Sequence, residues 1–260
     1  DGDGYLPEEN RLVLEEIMEK GVQVVAASGR ALSTLPEAIR KMKGIRYAIT
    51  SNGAAVYDLS TGKCLKQYKM TEDSVHQILD LTKEFPVTFE AFVDGEAYAP
   101  RAYVEDPIQF GADIRAVPYI RGTRKPVEDI GDFICAHGSV LDGMDVIISD
   151  PELKSRLWQM LDAEAEDVYI TSSVPQLLEI SYKDAGKHTG AAFLLEHLGL
   201  RQEELAAFGD GDNDAELLAF AGIGIAVENA SPKCKEAADH ITLSNEACGV
   251  AYGIRNILKL

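Results

Sequence analysis

The sequence predicts an α/β fold: a parallel sheet with helices, interrupted by a separate α+β domain. Both ends of the chain alternate apolar runs of strand length with helix-like segments, the pattern of an open parallel sheet. The middle also alternates helices and strands but lacks long apolar parallel strands, which is typical of an inserted module. We therefore predict a discontinuous core domain, residues 1–72 and 182–260, and an inserted domain, residues 73–181.

Composition narrows the classes of function. The chain has 260 residues, 46% of them hydrophobic, and no apolar stretch that predicts a membrane span or a signal peptide. Its net charge of −18 repels nucleic acid and anionic membranes, so we expect neither as a partner. The four cysteines are scattered without a CxxC pair, which favours reduced thiols and a cytoplasmic protein.

The first 72 residues contain two predicted helices and three predicted strands. Pro7 suits the first position of a helix, two glutamates follow it, and Gly21 ends it. The apolar stretch before Ser28 predicts a strand, and Asn52-Gly53 predicts a turn between two further strands. The predicted helices cover residues 7–20 and 32–42, and the predicted strands cover residues 22–27, 47–50 and 55–58.

The inserted domain opens with a predicted helix, and its elements are shorter and more mixed. Residues 117–134 are charged and contain prolines, so we predict irregular structure there. The predicted helices cover residues 74–85 and 151–163, and the predicted strands cover residues 87–93, 96–98, 140–148 and 168–172.

The last third of the chain returns to the alternation of strands and helices. A helix follows Gly186-Lys187 and ends at Gly199, and Ser231-Pro232 supplies the cap and first residue of another helix. The predicted strands cover residues 205–209, 223–227 and 240–243, and the later helices cover residues 232–238 and 249–258.

Three carboxylates alternate within five residues inside the segment 205–218, between an apolar run and the start of an apolar-periodic helix. The pattern places Asp210 at the carboxyl end of a strand and Asp214 in the first helical turn, at the edge where α/β active sites lie. Carboxylates this close repel one another unless a cation compensates, and Mg²⁺ typically uses one or two carboxylates, water and a phosphate. Helix caps and dipole partners remain an open alternative. An EF-hand loop is rejected because Ala221 stands at its twelfth position, and a dinucleotide site because the aspartates would face a pyrophosphate.

Two other junctions point to a phosphate. Ser28-Gly29-Arg30 follows the first apolar strand and offers a hydroxyl and backbone N–H groups, although Ser28 fits a plain N-cap equally well. Lys187 begins a helix, where the macrodipole disfavours a cation, so we expect an anion beside it; a solvated lysine is the alternative. His188 and His197 have no partner at metal-ligand spacing and are interpreted as structural.

Four blocks of this chain, in order and approximate spacing, resemble the haloacid dehalogenase (HAD) superfamily, and within it the Cof-like sugar-phosphate phosphatases with a C2-type cap. The blocks are residues 24–30 (VVAASGR), residues 50–54 (TSNGA), Gly186-Lys187, and residues 208–218 with Asn229-Ala230. The resemblance implies a Rossmann-like HAD core with a parallel sheet and an inserted α+β cap domain, and it implies Mg²⁺ as the cofactor.

By this resemblance, each block has a role in phosphoryl transfer. Ser28 would bind the transferring phosphoryl group, and Lys187 would hold the nucleophile and the phosphoryl oxygens. Asp210 and Asp214 would bind Mg²⁺. The remaining phosphate- or substrate-binding residues would be Gly29, Arg30, Asn52, Gly53 and Asn213, the last orienting Lys187 or the phosphate. These roles agree with the chemistry, because Mg²⁺ and a lysine neutralise charge that develops on phosphoryl oxygens.

The beginning of the chain departs from the family pattern. The family has Asp-x-Asp-Gly-Thr after its first strand; the first Asp forms an aspartyl-phosphate and the second is the general acid and base. Asp1-Gly2-Asp3-Gly4 has this spacing, but no apolar strand precedes it and Tyr5 replaces Thr. We favour a loop that follows the true motif, so that the first strand and the nucleophile are missing from this chain. The alternative is that Asp1 and Asp3 are the nucleophile and the acid/base of a shortened variant.

The sequence therefore predicts a Mg²⁺-dependent phosphatase that hydrolyses a small phosphorylated metabolite, a sugar phosphate or similar, through an aspartyl-phosphate. The expected assembly is a monomer or a small homo-oligomer. The alternatives are a non-catalytic protein that binds a phospholigand or Mg²⁺, an N-terminally truncated inactive fragment, and a phosphomutase.

Overall fold

The computed structural model describes residues 5–260. Asp1 and Asp3, the candidates for nucleophile and acid/base, therefore lie outside the described residues. The chain forms two compact units: the first contains the residues up to Ser28, Leu35–Lys66 and Gly186–Leu260, and the second contains Gly29–Thr34 and Gln67–Ala185. The sequence prediction places the boundaries at 72/73 and 181/182 and assigns residues 29–34 to the core.

The helices and strands of the described residues alternate along the chain. The helices are α1 (Glu8–Glu19), α2 (Glu37–Arg40), α3 (Glu72–Thr82), α4 (Arg101–Glu105), α5 (Val117–Thr123), α6 (Ile130–His137), α7 (Pro151–Glu164), α8 (Lys187–Leu198), α9 (Ala215–Phe220), α10 (Pro232–Glu236) and α11 (Gly249–Gly253). The strands are β1 (Val25–Ala27), β2 (Tyr47–Thr50), β3 (Ala55–Asp58), β4 (Lys63–Gln67), β5 (Thr88–Val93), β6 (Glu96–Pro100), β7 (Arg124–Val127), β8 (Leu141–Ile147), β9 (Val168–Thr171), β10 (Leu177–Tyr182), β11 (Ala206–Gly209), β12 (Ile223–Ala226) and β13 (His240–Ile241).

The first unit contains the parallel strands that the sequence predicts. β1 pairs with β2 in parallel, and β3 and β4 extend the same sheet beyond β2. A second sheet consists of β11, β12 and β13, all parallel. Its strands are short and apolar, and their carboxyl ends lead into polar turns, which is where open α/β sheets place their ligands.

The second unit is built on one six-stranded sheet with the order β7-β6-β5-β8-β10-β9. All its pairs are antiparallel except β6 with β7. Apolar side chains of α3, α6 and α7 pack against the sheet, with residues such as Ile78, Ile134, Met144 and Leu157 fully buried. A mainly antiparallel sheet with helices is an α+β architecture.

Several predicted elements agree with the structure. The strands over 47–50 and 55–58 and the helix over 151–163 are present with nearly unchanged bounds. Ser231 caps α10 as predicted, because its hydroxyl accepts a hydrogen bond from the Cys234 N–H at 3.2 Å. Gly199 ends α8 in the left-handed conformation that favours glycine. The predicted α/β fold with an inserted α+β domain is confirmed.

Two predictions were wrong. The single helix over residues 32–42 is instead a 3₁₀ turn, Leu32–Thr34, followed by α2, because Pro36 interrupts the helical hydrogen bonds between them. The irregular segment 117–134 is instead α5, β7 and the first part of α6. Its proline at 118 stands in the first turn of α5, where proline is tolerated, and Asp129 caps α6 by accepting from the Asp132 N–H at 2.9 Å.

No helix among the described residues is long and apolar enough to cross a membrane. All four cysteines, Cys64, Cys135, Cys234 and Cys248, have free thiols.

Candidate active site

The acidic turn, residues 210–214, directly follows β11. Asp210 follows the strand and is exposed, while Asp214 is buried and lies just before α9. The Asp214 carboxylate accepts hydrogen bonds from the backbone N–H groups of Asp210 and Gly211 at 2.9 and 3.0 Å. Gly209 must be glycine here, because a Cβ at this position would lie 2.5 Å from the Cβ of Asp214. The turn therefore fixes the Asp214 carboxylate by hydrogen bonds and leaves the Asp210 carboxylate accessible.

Lys187, the first residue of α8, is buried with 5% of its surface exposed. Its ammonium group forms a hydrogen-bonded ion pair with the second oxygen of Asp214. Because Lys187 is buried and paired with Asp214, the alternative of a solvated lysine is wrong, while a phosphate beside this lysine stays a prediction. A buried pair of this kind requires both charges, because either alone would be strongly destabilised.

The pKa values of Asp210 and Asp214 shift in opposite directions. Burial raises the pKa of Asp214, but the Lys187 charge and hydrogen bonds to the carboxylate outweigh burial and hold that pKa below its usual range. For Asp210, partial desolvation and then the neighbouring Asp214 charge raise the pKa above its usual value. Because Lys187 is paired with Asp214, it balances the charge of Asp210 only in part. The Asp210 carboxylate therefore favours binding a cation or a proton.

The third carboxylate of the turn has a structural partner. Ser231 donates from its hydroxyl to a carboxylate oxygen of Asp212 at 2.5 Å, which ties the acidic turn to the N-terminus of α10. No group of three or more His, Cys, Asp or Glu side chains within residues 5–260 is placed to hold a metal ion. The exposed Asp210 carboxylate, with the hydrogen-bonded Asp214 beside it, still fits Mg²⁺, because this ion commonly takes only one or two protein carboxylates.

The turn Ser51-Asn52-Gly53 at the end of β2 contacts two of these segments. The Asn213 amide donates to the Asn52 side-chain oxygen at 3.0 Å, and both residues are buried. The sequence predicts instead that Asn213 orients Lys187 or the phosphate; its observed partner is Asn52. Gly53 has a φ of 92°, and a Cβ there would lie 1.9 Å from the carbonyl oxygen of Gly186. The turn is therefore packed directly against the residue that precedes Lys187.

Ser28 joins the same group of residues through its backbone. Its N–H donates to the Ile49 carbonyl at 2.9 Å, and its carbonyl accepts from the Asn52 N–H at 3.2 Å. No α-helix begins at Ser28, so its alternative role as an N-cap is not observed. Ser28, Asn52, Gly53, Lys187 and the acidic turn are thus connected within the first unit.

Gly29 and Arg30 belong to the second unit. The Arg30 guanidinium carbon lies 4.0 Å from the ring centroid of Tyr119 and the Arg124 guanidinium carbon lies 4.7 Å from it. Arg30 also donates to the Thr34 carbonyl at 3.4 Å. The structure therefore places Arg30 among aromatic and cationic side chains of the second unit.

The second unit contains a buried polar cluster that the sequence patterns did not lead us to predict. Glu90, Asp145 and Glu179 are paired across β5, β8 and β10, and Arg124 donates to both carboxylate oxygens of Glu90 at 2.8 and 2.9 Å. Burial first, and then the charges of Glu179 and Glu90, raise the pKa of Asp145 well above its usual value. A signal was available: each acid interrupts a run of apolar residues in a strand.

Comparison with known proteins identifies the family. The family model of the haloacid dehalogenase-like hydrolases matches residues 1–254. The chain belongs to this family. The resemblance that the sequence blocks indicate is thereby confirmed, and this HAD hydrolase is an enzyme of the phosphatase class, a phosphoric monoester hydrolase.

Relatives with known names or structures cover nearly the whole HAD chain. It is 28% identical over 251 residues to the Bacillus subtilis 5-amino-6-(5-phospho-D-ribitylamino)uracil phosphatase YcsE, covering 96% of this chain and 88% of that protein. A haloacid dehalogenase-like hydrolase from B. subtilis has a similar structure, with a TM-score of 0.85, 24% identity, and coverage of 99% and 95% of the two chains. The subclass IIB sugar phosphatase BT4131 shares the fold, with a TM-score of 0.84, 18% identity, and coverage of 98% and 93%.

Proposed function

We propose that this HAD phosphatase is Mg²⁺-dependent and hydrolyses a small phosphorylated metabolite through an aspartyl-phosphate. The observation that carries the proposal is the buried Lys187–Asp214 pair beside the exposed Asp210. A fixed ammonium group next to an accessible carboxylate suits a phosphate bound together with a divalent cation.

Different residues of the first unit would bind the phosphoryl group and the metal ion. Lys187 would neutralise phosphoryl oxygens, and Ser28 would donate its hydroxyl to the phosphoryl group. Asp210 would hold Mg²⁺ directly, with Asp214 behind it, because both Asp214 oxygens already accept hydrogen bonds. Bound Mg²⁺ would supply electrostatic stabilisation of the phosphoryl oxygens. Asp1 and Asp3 are the candidates within this chain for nucleophile and acid/base.

The second unit would act as the cap that selects the substrate. Gly29, Arg30, Asn52 and Gly53 would contact the bound metabolite, as the family resemblance implies. Because one relative acts on a phosphorylated ribityl compound and another is a sugar phosphatase, sugar and polyol phosphates are the substrates to test first.

The net charge and the free cysteine thiols support an inference about the location and the partners of the protein. We infer a cytoplasmic monomer or small homo-oligomer that binds neither nucleic acid nor membranes, because a net charge of −18 repels both. The four free thiols suit a reducing compartment. Cell fractionation and light scattering test location and assembly.

The decisive experiment measures phosphate release from a metabolite panel that includes 5-amino-6-(5-phospho-D-ribitylamino)uracil, with Mg²⁺ and with a chelator. We expect Mg²⁺-dependent release that falls at least a hundredfold, about 3 kcal/mol, in Lys187→Ala and Asp210→Asn. Lys20→Ala is the control, because this lysine is in an exposed pair with Glu16. Equal turnover in wild type and both site variants would exclude the proposal.

Other outcomes identify the alternatives. Calorimetric binding of phosphate without turnover would indicate a non-catalytic protein or a chain that lacks its nucleophile. Transfer of phosphate to a second position of the substrate, seen by product analysis, would indicate a phosphomutase. Asp1→Asn and Asp3→Asn test whether the carboxylates of this chain perform the chemistry; unchanged turnover in both would remove them from the mechanism.

A further inference from the structure

Ser51 carries a buried hydroxyl that the fold does not use. The residue is 5% exposed, and its Oγ has no hydrogen-bond partner among the described residues. A buried hydroxyl without a partner destabilises the folded state, so such groups are rare in folded proteins and call for an explanation.

The backbone at Ser51 is also unusual. In a regular parallel ladder, the Ser28 carbonyl would accept from residue 51, because the Ser28 N–H donates to Ile49. It accepts instead from Asn52, because the ladder ends at Thr50 and Ser51 begins a 3₁₀ turn, Ser51–Gly53. Ser51 and Asn52 have φ values of 48° and 53°, a left-handed conformation that asparagine tolerates but that is unfavourable for serine. Residues held in such sparsely populated backbone conformations cluster at active sites and ligand clamps.

The turn Ser51-Asn52-Gly53 contacts residues of the proposed phosphate site. Asn52 is bonded to Ser28 through its N–H and to Asn213 through its side chain. Gly53 is in contact with Gly186, the neighbour of Lys187. The unsatisfied hydroxyl is therefore held in a turn that contacts the segments of Ser28, Lys187 and Asn213 together.

We propose that Ser51 is a further substrate-binding residue, whose hydroxyl donates a hydrogen bond to a phosphoryl oxygen of the bound ester. The inference rests on the proposed function, and it explains why a buried donor and a left-handed serine occur at this position. A neutral donor suits the site, since the Lys187 charge is already partly balanced by Asp214.

The test uses inorganic phosphate as the probe, in the presence of Mg²⁺, with binding measured by calorimetry and KM measured with p-nitrophenyl phosphate. Ser51→Gly removes the hydroxyl and accepts the left-handed backbone without strain, so its Tm should equal or exceed that of the wild type. We expect phosphate affinity about tenfold or more below wild type, with KM raised accordingly. Ser51→Ala should show the same loss of affinity. Ser33→Ala is the matched control, because this hydroxyl also lacks a partner among the described residues.

The outcomes separate the two proposals. Wild-type phosphate affinity and KM in Ser51→Gly and Ser51→Ala would overturn the role of Ser51 and leave the phosphatase proposal intact. A change in Tm without a change in affinity would also overturn it, because that result shows a structural role only. A wild-type protein that neither binds nor releases phosphate would overturn the proposed function and this inference with it.

Discussion

Replacing Lys187 with methionine tests the buried ion pair at the centre of the site. The side chains of Lys187 and Asp214 are only 6% and 8% exposed, so the substitution leaves a charge in the interior without its counterion. Removing one member of a buried pair typically costs about 3–5 kcal/mol. For a chain of this size that corresponds to a decrease in Tm of about 10 °C. Methionine retains most of the apolar stem, so the loss is electrostatic.

Thermal unfolding followed by circular dichroism provides the assay. Lys20→Met is the matched control in the same unit, because the Lys20–Glu16 pair is 53% and 52% exposed and should contribute less than about 1 kcal/mol. Adding Asp214→Asn to Lys187→Met should restore part of the stability, since the uncompensated charge is removed. Equal Tm values for Lys187→Met and Lys20→Met would refute the reasoning.

Three further substitutions test other parts of the structure. Asp145→Asn should stabilise the protein increasingly as the pH rises. Because the pKa of Asp145 is raised in the folded state, the wild type loses stability as the pH rises above the unfolded pKa of about 4. Unfolding measured at pH 5 and pH 8 should therefore show that Asp145→Asn gains more stability over the wild type at pH 8. Gly53→Ala should lower the free energy of unfolding by about 2–4 kcal/mol, because its Cβ would overlap Gly186. The control Gly62→Ala, with a φ of 70° and open space around it, should lower it by about 1 kcal/mol. Similar urea midpoints for the two variants would contradict this reasoning. Ser231→Ala should cost about 1–2 kcal/mol by removing the α10 cap and the bond to Asp212; a Tm equal to wild type would show that neither bond contributes.

Local signals predicted most of the first unit. Strands of continuous apolar residues, a proline or serine at helix starts and Gly199 at a helix end each act over a few residues, so they can be recognised without the fold. The same local rules failed at residues 32–42 and 117–134. In both segments a proline stands at the start of a helix, directly before α2 at Pro36 and in the first turn of α5 at 118. The local rules did not recognise either start, because a proline can also interrupt a helix and only the neighbouring elements decide between the two.

Side-chain partners were less predictable than elements. Asp212 and Asp214 are two residues apart in the same acidic turn, yet one bonds to Ser231 and the other to Lys187. Asn213 and Asn52 are 161 positions apart, and nothing near either residue indicates the other. The left-handed conformation of Ser51 likewise has no local signal, because serine does not favour it.

The sequence by itself determined the fold class, the family blocks and the chemical types available at the ends of the strands, because periodicity and turn residues act locally. The tertiary structure alone decided that Lys187 neutralises Asp214 while Asp210 stays accessible, and that one turn after β2 contacts the serine, lysine and acidic segments. The physical reason is that charge pairing and burial depend on which distant segments meet, and that is settled only when the strands have assembled into sheets.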